Sequence, residues 1–423
     1  MKPRQLLLVV LFIALAFPLV FGGVAVPGVV GGSSSIYSLS RLGGLLGMIL
    51  FGMLFVLGTK PKFIETFFGH DKMIALHRKL CVTALVLVLF HGIVGIWNAY
   101  GGGTGLLLGV VAFFLLIITF LFIVLQKIFH WAYEFWTTIH QLTYILFPPA
   151  YLHSLLLGTS LRSSLVWQII WVLLGIEYLG ILGYKIWNAR QNRKNRFQVT
   201  QVIQETPNIW TLQFQPEGGS PFSYLPGQFL ILYLSQAGRM SDPHPFTIAS
   251  SPTREILSVS IKEAGDFTGN IGRTITGDYA LIDGPYGRFS FLHYPAEEYI
   301  FIAGGIGITP FLSMLRYMRD RRIKKKILLL WGNRTERDIA FREELNRMER
   351  TMTGLKVVHV LSDQGDWRGE SGFINASLIQ KYGDIRGQEI FLCGPPLMMK
   401  LVQKELRSFN LPKQQIHFER FAW

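Results

Sequence analysis

Cysteine, charge and acidic side chains are all scarce in this chain of 423 residues. Its two cysteines, Cys81 and Cys393, exclude a disulfide framework and a thiolate metal site. Only 16% of the residues are charged while 50% are hydrophobic, which is unusual for a soluble protein. Residues 1–196 contain 4 Asp and Glu against 15 Lys and Arg, whereas residues 197–423 contain 23 against 26. The basic excess therefore belongs to the apolar half. No nucleic-acid-binding motif accompanies it, so basic loops beside a membrane explain it and we expect no nucleic-acid partner.

Long apolar runs predict six membrane spans in the first half of the chain. The connections 59–73 and 188–196 are basic, while 29–35 and 98–105 carry no charge. Since basic loops stay in the cytoplasm, this bias predicts a multi-pass protein of the plasma membrane, with its N-terminus and second half cytoplasmic. The first run resembles a signal peptide, but five further runs and the lack of a small-residue cleavage site favour a span. The predicted spans are 5–28, 36–58, 74–97, 106–127, 138–157 and 165–187.

Four histidines form two pairs inside these spans. His77 and His91 are 14 residues apart on the third span, and His140 and His153 are 13 apart on the fifth. In an α-helix, 14 residues advance about 21 Å and return to within about 40° of the same face. Neutral imidazole is an ordinary axial ligand of haem iron, so we predict an inner haem on His77 and His140 and an outer haem on His91 and His153. The alternative is that these are buried polar residues that serve helix packing.

The 13-residue spacing on the fifth span does not fit an ideal helix. It would rotate His153 well away from the face of His140. Pro148 and Pro149 lie between them, and a proline pair distorts a helix. We therefore hypothesise that the prolines turn His153 toward the bundle, and a straight helix with His153 facing lipid would contradict this.

Three further polar residues lie close to the predicted spans. Arg41 is near the outer end of the second span, where it could pair with a haem propionate, stabilise an anion that forms beside the outer haem, or extend to the interface. His70 and His130 fall in cytoplasmic connections and are interpreted as interfacial.

The second half alternates short apolar runs with turn residues. Phe197–Pro295 predicts a small β-barrel, and the region from Tyr299 predicts a parallel sheet that alternates with helices. The domains expected are 1–194 in the membrane, a 195–297 barrel and a 298–423 α/β domain. The predicted strands are Phe197–Ile203, Ile209–Phe214, Gln228–Leu234, Ile256–Ile261, Tyr279–Asp283, Tyr299–Ala303, Ile327–Trp331, Lys356–Leu361 and Glu389–Cys393, with helices near 310–321, 338–350, 375–382 and 396–408.

A glycine-rich turn follows strand Tyr299–Ala303. Glycines let a backbone approach a pyrophosphate, the following helix N-terminus favours its charge, and proline suits a first helical turn. The residues predicted to bind the nucleotide here are Gly304, Gly305, Gly307, Thr309 and Pro310.

Two other strand ends carry candidate nucleotide ligands, because ligands of open parallel sheets bind at the carboxyl ends of strands. Arg334 follows the second strand, where it either meets the 2′-phosphate of NADP or is a surface cation. Cys393, Gly394 and Pro395 follow a later strand.

The second half resembles a ferredoxin–NADP reductase module. His244, Pro245, Phe246 and Thr247 are similar to its flavin-binding strand, which implies FAD against these side chains. Lys262 and Thr268 resemble the segment beside the FAD pyrophosphate. The glycine-rich turn and the Cys393 segment resemble the pyrophosphate and nicotinamide segments for NADPH. Trp423 resembles the terminal aromatic residue that stacks on the flavin, although a terminal anchor is the alternative.

With the histidine pairs added, the chain resembles the NADPH oxidase and ferric reductase family, most closely its compact bacterial members. The resemblance implies electron flow from cytoplasmic NADPH, with NADH left open, through FAD and two b-type haems to oxygen, which yields superoxide. Arg41, Cys393 and Trp423 are its candidate catalytic residues. Some oxidases have a polar residue at the position of Gly95, so the oxygen site stays open. A ferric-chelate reductase and an electron supplier for an extracytoplasmic protein are the alternatives, and we expect no obligatory protein partner.

Overall fold

Two compact units, Met1–Asn188 and Ala189–Trp423, make up the chain in the computed structural model. The first predicted span, His130 and Trp423 lie outside the described residues, and so does the side chain of His70. The structure describes residues 35–61, 64, 69–97, 103–129, 133–192, 195–218, 222–236, 238–409 and 411–419.

The described part of the first unit consists of helices. Four of them are long and apolar enough to cross a membrane, so the six predicted spans are not confirmed as a set. The fifth predicted span lies in a helix of 25 residues, Tyr133–Leu157, which is not among these four. The helices are α1 Ser35–Thr59, α2 His70–Trp97, α3 Thr104–Phe129, α4 Tyr133–Leu157, α5 Thr159–Ser163 and α6 Leu165–Asn192.

Packing within this unit brings α1 against α2 and α3 against α4. Large side chains such as Leu50, Phe147, Trp167 and Trp171 are buried between the helices. Other apolar side chains remain exposed on α2, α3 and α6, which suits a surface that faces lipid. Each of these two helix pairs contains one helix that carries histidines: α2 in the first pair and α4 in the second.

The second unit begins with an antiparallel sheet of seven strands, in the order β4-β3-β7-β1-β2-β6 with β5 on β3. Alternating buried and exposed residues give this sheet one apolar face. A bridge between Ile248 and Val259 joins the chain just after β5 to β6. The antiparallel arrangement is confirmed, and closure into a barrel stays a prediction. The strands are β1 Arg196–Thr206, β2 Ile209–Pro216, β3 Phe229–Gln236, β4 Arg239–Met240, β5 His244–Thr247, β6 Leu257–Lys262 and β7 Tyr279–Tyr286.

A parallel sheet of six strands follows, in the order β11-β10-β9-β8-β12-β13. Its central strands are apolar on both faces because helices cover them. The strand order reverses between β8 and β12, which is where an open parallel sheet forms its ligand crevice. The predicted parallel sheet is confirmed. Its elements are β8 Glu298–Gly304, α7 Thr309–Asp320, β9 Lys326–Asn333, α8 Arg342–Thr351, β10 Leu355–Leu361, β11 Glu370–Ser371, α9 Ala376–Tyr382, β12 Glu389–Cys393, α10 Pro396–Ser408 and β13 Ile416–Glu419.

Candidate functional site

The inner pair of histidines comes together from two helices. The ring centroids of His77 on α2 and His140 on α4 are 6.1 Å apart, with 69° between the ring planes. Trp136, one turn before His140 on α4, stacks on its ring at 5.2 Å and 10°. The Nδ1 atom of His140 is buried and has no hydrogen-bond partner among the described residues. Stacking therefore holds this ring in place, while none of the described residues satisfies its Nδ1.

The outer pair has nearly the same geometry. The ring centroids of His91 and His153 are 6.2 Å apart, with 62° between the planes. Nδ1 of His91 lies 3.1 Å from the carbonyl oxygen of Ser40, and Nδ1 of His153 lies 2.8 Å from that of Gly105. A carbonyl only accepts, so both Nδ1 atoms carry the proton and both Nε2 atoms keep a free lone pair. A backbone carbonyl that accepts from the other ring nitrogen is what usually orients a metal-binding histidine.

Glycines lie beside three of the four rings, and two of them, Gly44 and Gly109, leave room that the outer rings need. A Cβ at Gly44 would lie 2.9 Å from the ring of His91, and a Cβ at Gly109 would overlap the ring of His153. A Cβ at Gly58 would lie 3.6 Å from the ring of His77. Gly44 and Gly58 are 14 residues apart on α1, which repeats the spacing of the two histidines on α2 that they face.

These pairs fit a metal that brings most of its own ligands. Two imidazoles that bind opposite sides of one metal at about 2 Å each have ring centres roughly 6 Å apart, as both pairs do. Across the part of the chain that the structure describes, no three or more His, Cys, Asp or Glu residues cluster around a metal position. A porphyrin iron, which needs only two axial ligands from the protein, matches such a donor set.

Helix α4 remains one helix through Pro148 and Pro149. His153 nevertheless faces the bundle, since its ring contacts α3 through Gly105 and lies beside His91. The outcome that would contradict the proline hypothesis, His153 facing lipid, is therefore not observed. The register change itself stays a prediction.

Arg41 is held by the short helix α5. Its Nη2 donates to the hydroxyl oxygens of Thr159 and Ser160, the latter at 2.8 Å, and its guanidinium lies 6.0 Å from the ring centroid of Tyr37. Arg41 follows Ser40, the residue whose carbonyl binds His91, and so lies next to the outer pair along α1. Its side chain is partly buried rather than fully extended to an interface.

The flavin segment carries an aromatic surface. In β5, the ring of His244 stacks on Phe267 at 4.1 Å and 7°, and Phe246 lies beside the same phenyl ring at 6.2 Å. Pro245 is half-buried, and Thr247 is buried at the end of the strand. Phe267 was not singled out in the sequence, although it lies inside the segment that resembles the pyrophosphate-binding region. A flat aromatic surface beside β5 suits an isoalloxazine ring.

Lys262 and Thr268 flank the same turn. Lys262 ends β6 opposite Ile209 of β2. The hydroxyl oxygen of Thr268 accepts from the backbone N–H groups of Ala264 and Gly265, each at 3.0 Å. Thr268 therefore stabilises the conformation of this loop, and Lys262 lies at its entrance.

The glycine-rich loop and the Cys393 segment are packed directly against each other. A Cβ at Gly307 would lie 2.5 Å from the carbonyl oxygen of Cys393, and a Cβ at Gly304 would overlap Met398. Gly305 has a φ of 50°, in the left-handed region that glycine favours. Pro310 lies in the first turn of α7, beside the buried Thr309. The two predicted nucleotide-binding segments thus share one crevice between β8 and β12, and the backbone approach at Gly307 leaves no room for a side chain.

Cys393 is a buried neutral thiol at this crevice. Burial raises its pKa well above the usual range, and the carboxylate of Glu419 adds to the effect. Glu419 pairs with Cys393 across β12 and β13. A raised pKa disfavours a thiolate nucleophile, so the packing of Cys393 beside Gly394 and Pro395 matters more than its acid–base chemistry. Glu419 was not among the predicted site residues because β13 was not predicted, although Ile416–Glu419 alternates apolar and polar residues.

Arg334 lies on the exposed loop after β9. Its Nε donates to Asp363 at 2.7 Å, and its side chain is 79% exposed. The buried Trp331 at the end of the same strand donates from Nε1 to the carbonyl oxygen of Gly305 at 2.9 Å. The Arg334 loop is thereby attached to the glycine-rich loop.

Comparison with known proteins finds three domain families in one chain. Residues 43–151 match the ferric reductase like transmembrane component, residues 194–290 an FAD-binding domain, and residues 301–404 the oxidoreductase NAD-binding domain. These matches define a membrane oxidoreductase that binds FAD and a nicotinamide coenzyme and transfers electrons through a transmembrane component. Together the three matches give the chain the ferric-reductase and NADPH-oxidase-like domain architecture.

Individual relatives share mainly the reductase half. The glycine betaine monooxygenase reductase subunit of Chromohalobacter salexigens is 29% identical over 243 residues, 55% of this chain and 65% of that protein. The chain thus spans a little less than two thirds of this relative. The sulfhydrogenase 2 subunit gamma of Pyrococcus furiosus is 31% identical over 209 residues, 46% of this chain and 71% of that protein.

A solved flavohemoglobin from Malassezia yamatoensis, with bound FAD and haem, has a similar fold. The TM-score is 0.52 at 16% identity, over 94% of this chain and 98% of that one. At this identity the similarity concerns the fold alone.

Proposed function

We propose that the protein carries electrons from NADPH across the membrane to oxygen and produces superoxide at the outer face. The observation that supports this most is the occurrence of two histidine pairs on the same two helices, with ring centroids 6.1 and 6.2 Å apart. A single buried pair would serve helix packing equally well, whereas two equal pairs form a path along the helices.

The chain's own residues would hold and orient the carriers. His77 and His140 would bind the inner haem, and His91 and His153 the outer one. The carbonyls of Ser40 and Gly105 keep the Nε2 atoms of the outer pair unprotonated. When bound, FAD supplies hydride acceptance and single-electron release, and haem iron supplies one-electron transfer. Superoxide formation needs no proton from a side chain, so the electron path requires no side-chain acid or base.

The reductase residues would bind the electron source. We assign Gly304, Gly305, Gly307 and Thr309–Pro310 to the pyrophosphate of NADPH, and Cys393, Gly394 and Pro395 to the nicotinamide side of the crevice. The residues assigned to FAD are His244, Pro245, Phe246, Thr247, Lys262 and Thr268, and, from the resemblance alone, Trp423. Arg334 would bind the 2′-phosphate, which favours NADPH over NADH.

The proposed domains are 1–194 for the haems, 195–297 for FAD and 298–423 for NADPH. The basic connections 59–73 and 188–196 support a cytoplasmic position for the last two domains, and a location in the plasma membrane. The outer haem would then face the side on which oxygen is reduced. Arg41, beside the outer pair on α1, is assigned to stabilising the anion that forms there.

Two other terminal electron acceptors are alternatives to oxygen. The match to the ferric reductase like transmembrane component favours an outer ferric chelate. A curated relative named as a monooxygenase reductase subunit favours delivery to a protein partner. Both alternatives use the same electron path and differ only in the final acceptor.

The test uses the full chain purified in detergent with FAD and haem bound. NADPH oxidation is measured together with cytochrome c reduction, with and without superoxide dismutase. If oxygen is the electron acceptor and superoxide the product, the dismutase should abolish most cytochrome c reduction in the absence of chelates. NADPH oxidation that requires added ferric citrate would instead identify a ferric reductase, and a requirement for an extracytoplasmic protein fraction would identify an electron supplier.

A further inference from the structure

Helix α7 connects the nucleotide loop to the flavin segment within the second unit. It begins directly after the glycine-rich loop, and two of its side chains bind the backbone just beyond β5. The hydroxyl of Ser313 donates to the carbonyl oxygen of Ser250 at 2.6 Å, in a buried contact. One turn later, Nη1 of Arg316 donates to the carbonyl oxygen of Ala249 at 2.8 Å. Both acceptors lie within three residues of Thr247, the last residue of the proposed flavin strand.

Arg316 uses its whole guanidinium group in these contacts. Nε and Nη2 donate to the two carboxylate oxygens of Glu344 on α8, at 2.8 and 2.6 Å. The side chains of Arg316 and Glu344 are 18% and 20% exposed, and the ring of Phe341 lies 5.7 Å from the guanidinium carbon. A bidentate pair fixes the plane of the guanidinium, so the third donor can reach Ala249 in only one direction.

The receiving segment is itself held rigidly. The hydroxyl of Ser250 accepts from the backbone N–H of Ser258 in β6 at 3.0 Å and lies 2.9 Å from the hydroxyl of Tyr224. The segment after β5 therefore cannot follow α7 freely. If α7 were displaced, the nucleotide loop would move relative to the flavin strand.

A second attachment lies at the end of α7. Asp320 accepts from the hydroxyl of Thr253 at 2.6 Å and from Arg254 at 3.2 and 3.3 Å. Burial alone would raise the pKa of Asp320, but hydrogen bonds from Arg254, Thr253 and Arg319 lower it well below its usual range. This attachment is more exposed than that of Arg316, since the side chain of Arg254 is 64% exposed.

We propose that Arg316, assisted by Ser313, is a positioning residue that sets the distance between the bound nicotinamide and the flavin. This inference rests on the proposed function, in which NADPH reduces FAD. In that reaction a hydride leaves the reduced nicotinamide, which is oxidised, and adds to the flavin, which gains two electrons. Arg316 touches neither reactant and acts through Ala249, Glu344 and the loop before α7.

A small displacement is enough to make this role measurable. Misplacing reacting groups by about 1 Å costs roughly 100-fold in rate, while binding contacts remote from the reacting atoms persist. Loss of Arg316 should therefore lower the limiting rate of flavin reduction far more than the affinity for the nucleotide. Lysine keeps the positive charge but cannot make the bidentate pair and a third directed bond, so Arg316→Lys should not restore the rate.

The experiment compares Arg316→Ala, Arg316→Lys and Ser313→Ala in the full chain, purified with FAD bound. Arg347→Ala is the matched control, because Arg347 is on α8 like Glu344 and its side chain is 64% exposed. Anaerobic rapid mixing with NADPH gives the limiting rate of flavin reduction and the dissociation constant of NADPH. The nicotinamide–flavin charge-transfer absorbance reports the juxtaposition of the two rings independently of turnover.

We expect both Arg316 variants to lose about 10- to 100-fold in limiting rate and most of the charge-transfer absorbance, with the dissociation constant within about threefold of the original. Ser313→Ala should lose less, and Arg347→Ala should change neither quantity.

The other possible results overturn either this inference or the proposed function on which it rests. A normal limiting rate in both Arg316 variants, or a raised dissociation constant with an unchanged rate, would overturn the inference. If Arg316→Ala is isolated without FAD, Arg316→Lys and Ser313→Ala decide by the same two criteria. If the unmodified protein reduces its flavin with neither NADPH nor NADH, the proposed function fails and this inference falls with it.

Discussion

The Nδ1 atom of His153 lies 2.8 Å from the carbonyl oxygen of Gly105. This bond joins the end of α4 to the start of α3 and fixes both the tautomer and the orientation of the ring. His91, whose ring lies 6.2 Å from that of His153, makes the equivalent bond to Ser40 on α1. Two helices that do not carry the histidines thus orient the outer pair, which is more than a packing role requires.

Adding a methyl group at the glycines that contact the outer rings should displace the outer haem selectively. Alanine at Gly44 would place a methyl group 2.9 Å from the ring of His91, and alanine at Gly109 would overlap His153. Because a ring that is turned away cannot bind iron, we expect Gly44→Ala and Gly109→Ala to lose about half of the haem in the purified protein, by absorbance of the pyridine adduct.

The control for these variants is Gly95→Ala on α2. A Cβ there would meet nothing within 4 Å, so its haem content should remain normal. Full haem content in all three variants would mean that the positions of the His91 and His153 rings do not serve iron binding.

Coenzyme preference should depend on Arg334. Its guanidinium is exposed and already paired with Asp363 at 2.7 Å. Because a 2′-phosphate would replace the carboxylate as its partner, Arg334→Ala should raise the KM for NADPH about tenfold and leave the KM for NADH unchanged. Asp363→Asn should lower the KM for NADPH, since Arg334 would be released. Equal changes for both coenzymes would place the 2′-phosphate elsewhere.

The stability of the second unit should fall in mild acid because of His359. Both ring nitrogens of this residue are buried without a hydrogen-bond partner among the described residues. Burial, with a smaller effect of the nearby Arg342, lowers its pKa to about 4. A histidine in the unfolded chain has a pKa of about 6.5, so unfolding takes up a proton between about pH 6.5 and 4. The contribution of His359 to stability is therefore complete above pH 6.5 and is lost as the pH falls toward 4.

The measurement is the apparent melting temperature of the original protein and of His359→Leu between pH 7.5 and 4.5. The difference between the two should shift by a few degrees, because the linkage is at most about 1.4 kcal/mol per pH unit. Leucine fills a similar volume and does not titrate, so its profile should be flatter. Parallel profiles would show that His359 keeps an ordinary pKa in the folded protein.

Much of this architecture could be predicted from local patterns in the sequence. The alternation in Phe197–Ile203 indicated the antiparallel sheet, since burial repeats every two residues in a half-buried strand, and the continuous apolar run from Tyr299 into Gly304 indicated a strand buried on both faces, as in a parallel sheet. The 14-residue spacing of His77 and His91 indicated one face of a helix, since a helix repeats about every 3.6 residues. The short strands β5 and β13 carried too few residues for the pattern to identify them, and β5 was expected only from its resemblance to a flavin-binding strand.

Contacts between distant segments could not be predicted in this way. The approach of Gly307 to Cys393 depends on β8 and β12 being neighbours, which follows from the strand order and not from either motif. The bonds from Ser40 and Gly105 use backbone carbonyls, which every residue possesses, so no residue type marks them. The contact of Arg316 with Ala249 is of the same kind.

The most direct test of the electron path is the haem content of the purified full chain and of its histidine variants. The pyridine-adduct spectrum should give two b-type haems per FAD for the original protein. His77→Leu should retain the outer haem alone, His91→Leu the inner haem alone, and the double variant neither. Absence of b-type haem from the original protein, or a haem content that the substitutions leave unchanged, would contradict the assignment of the two histidine pairs.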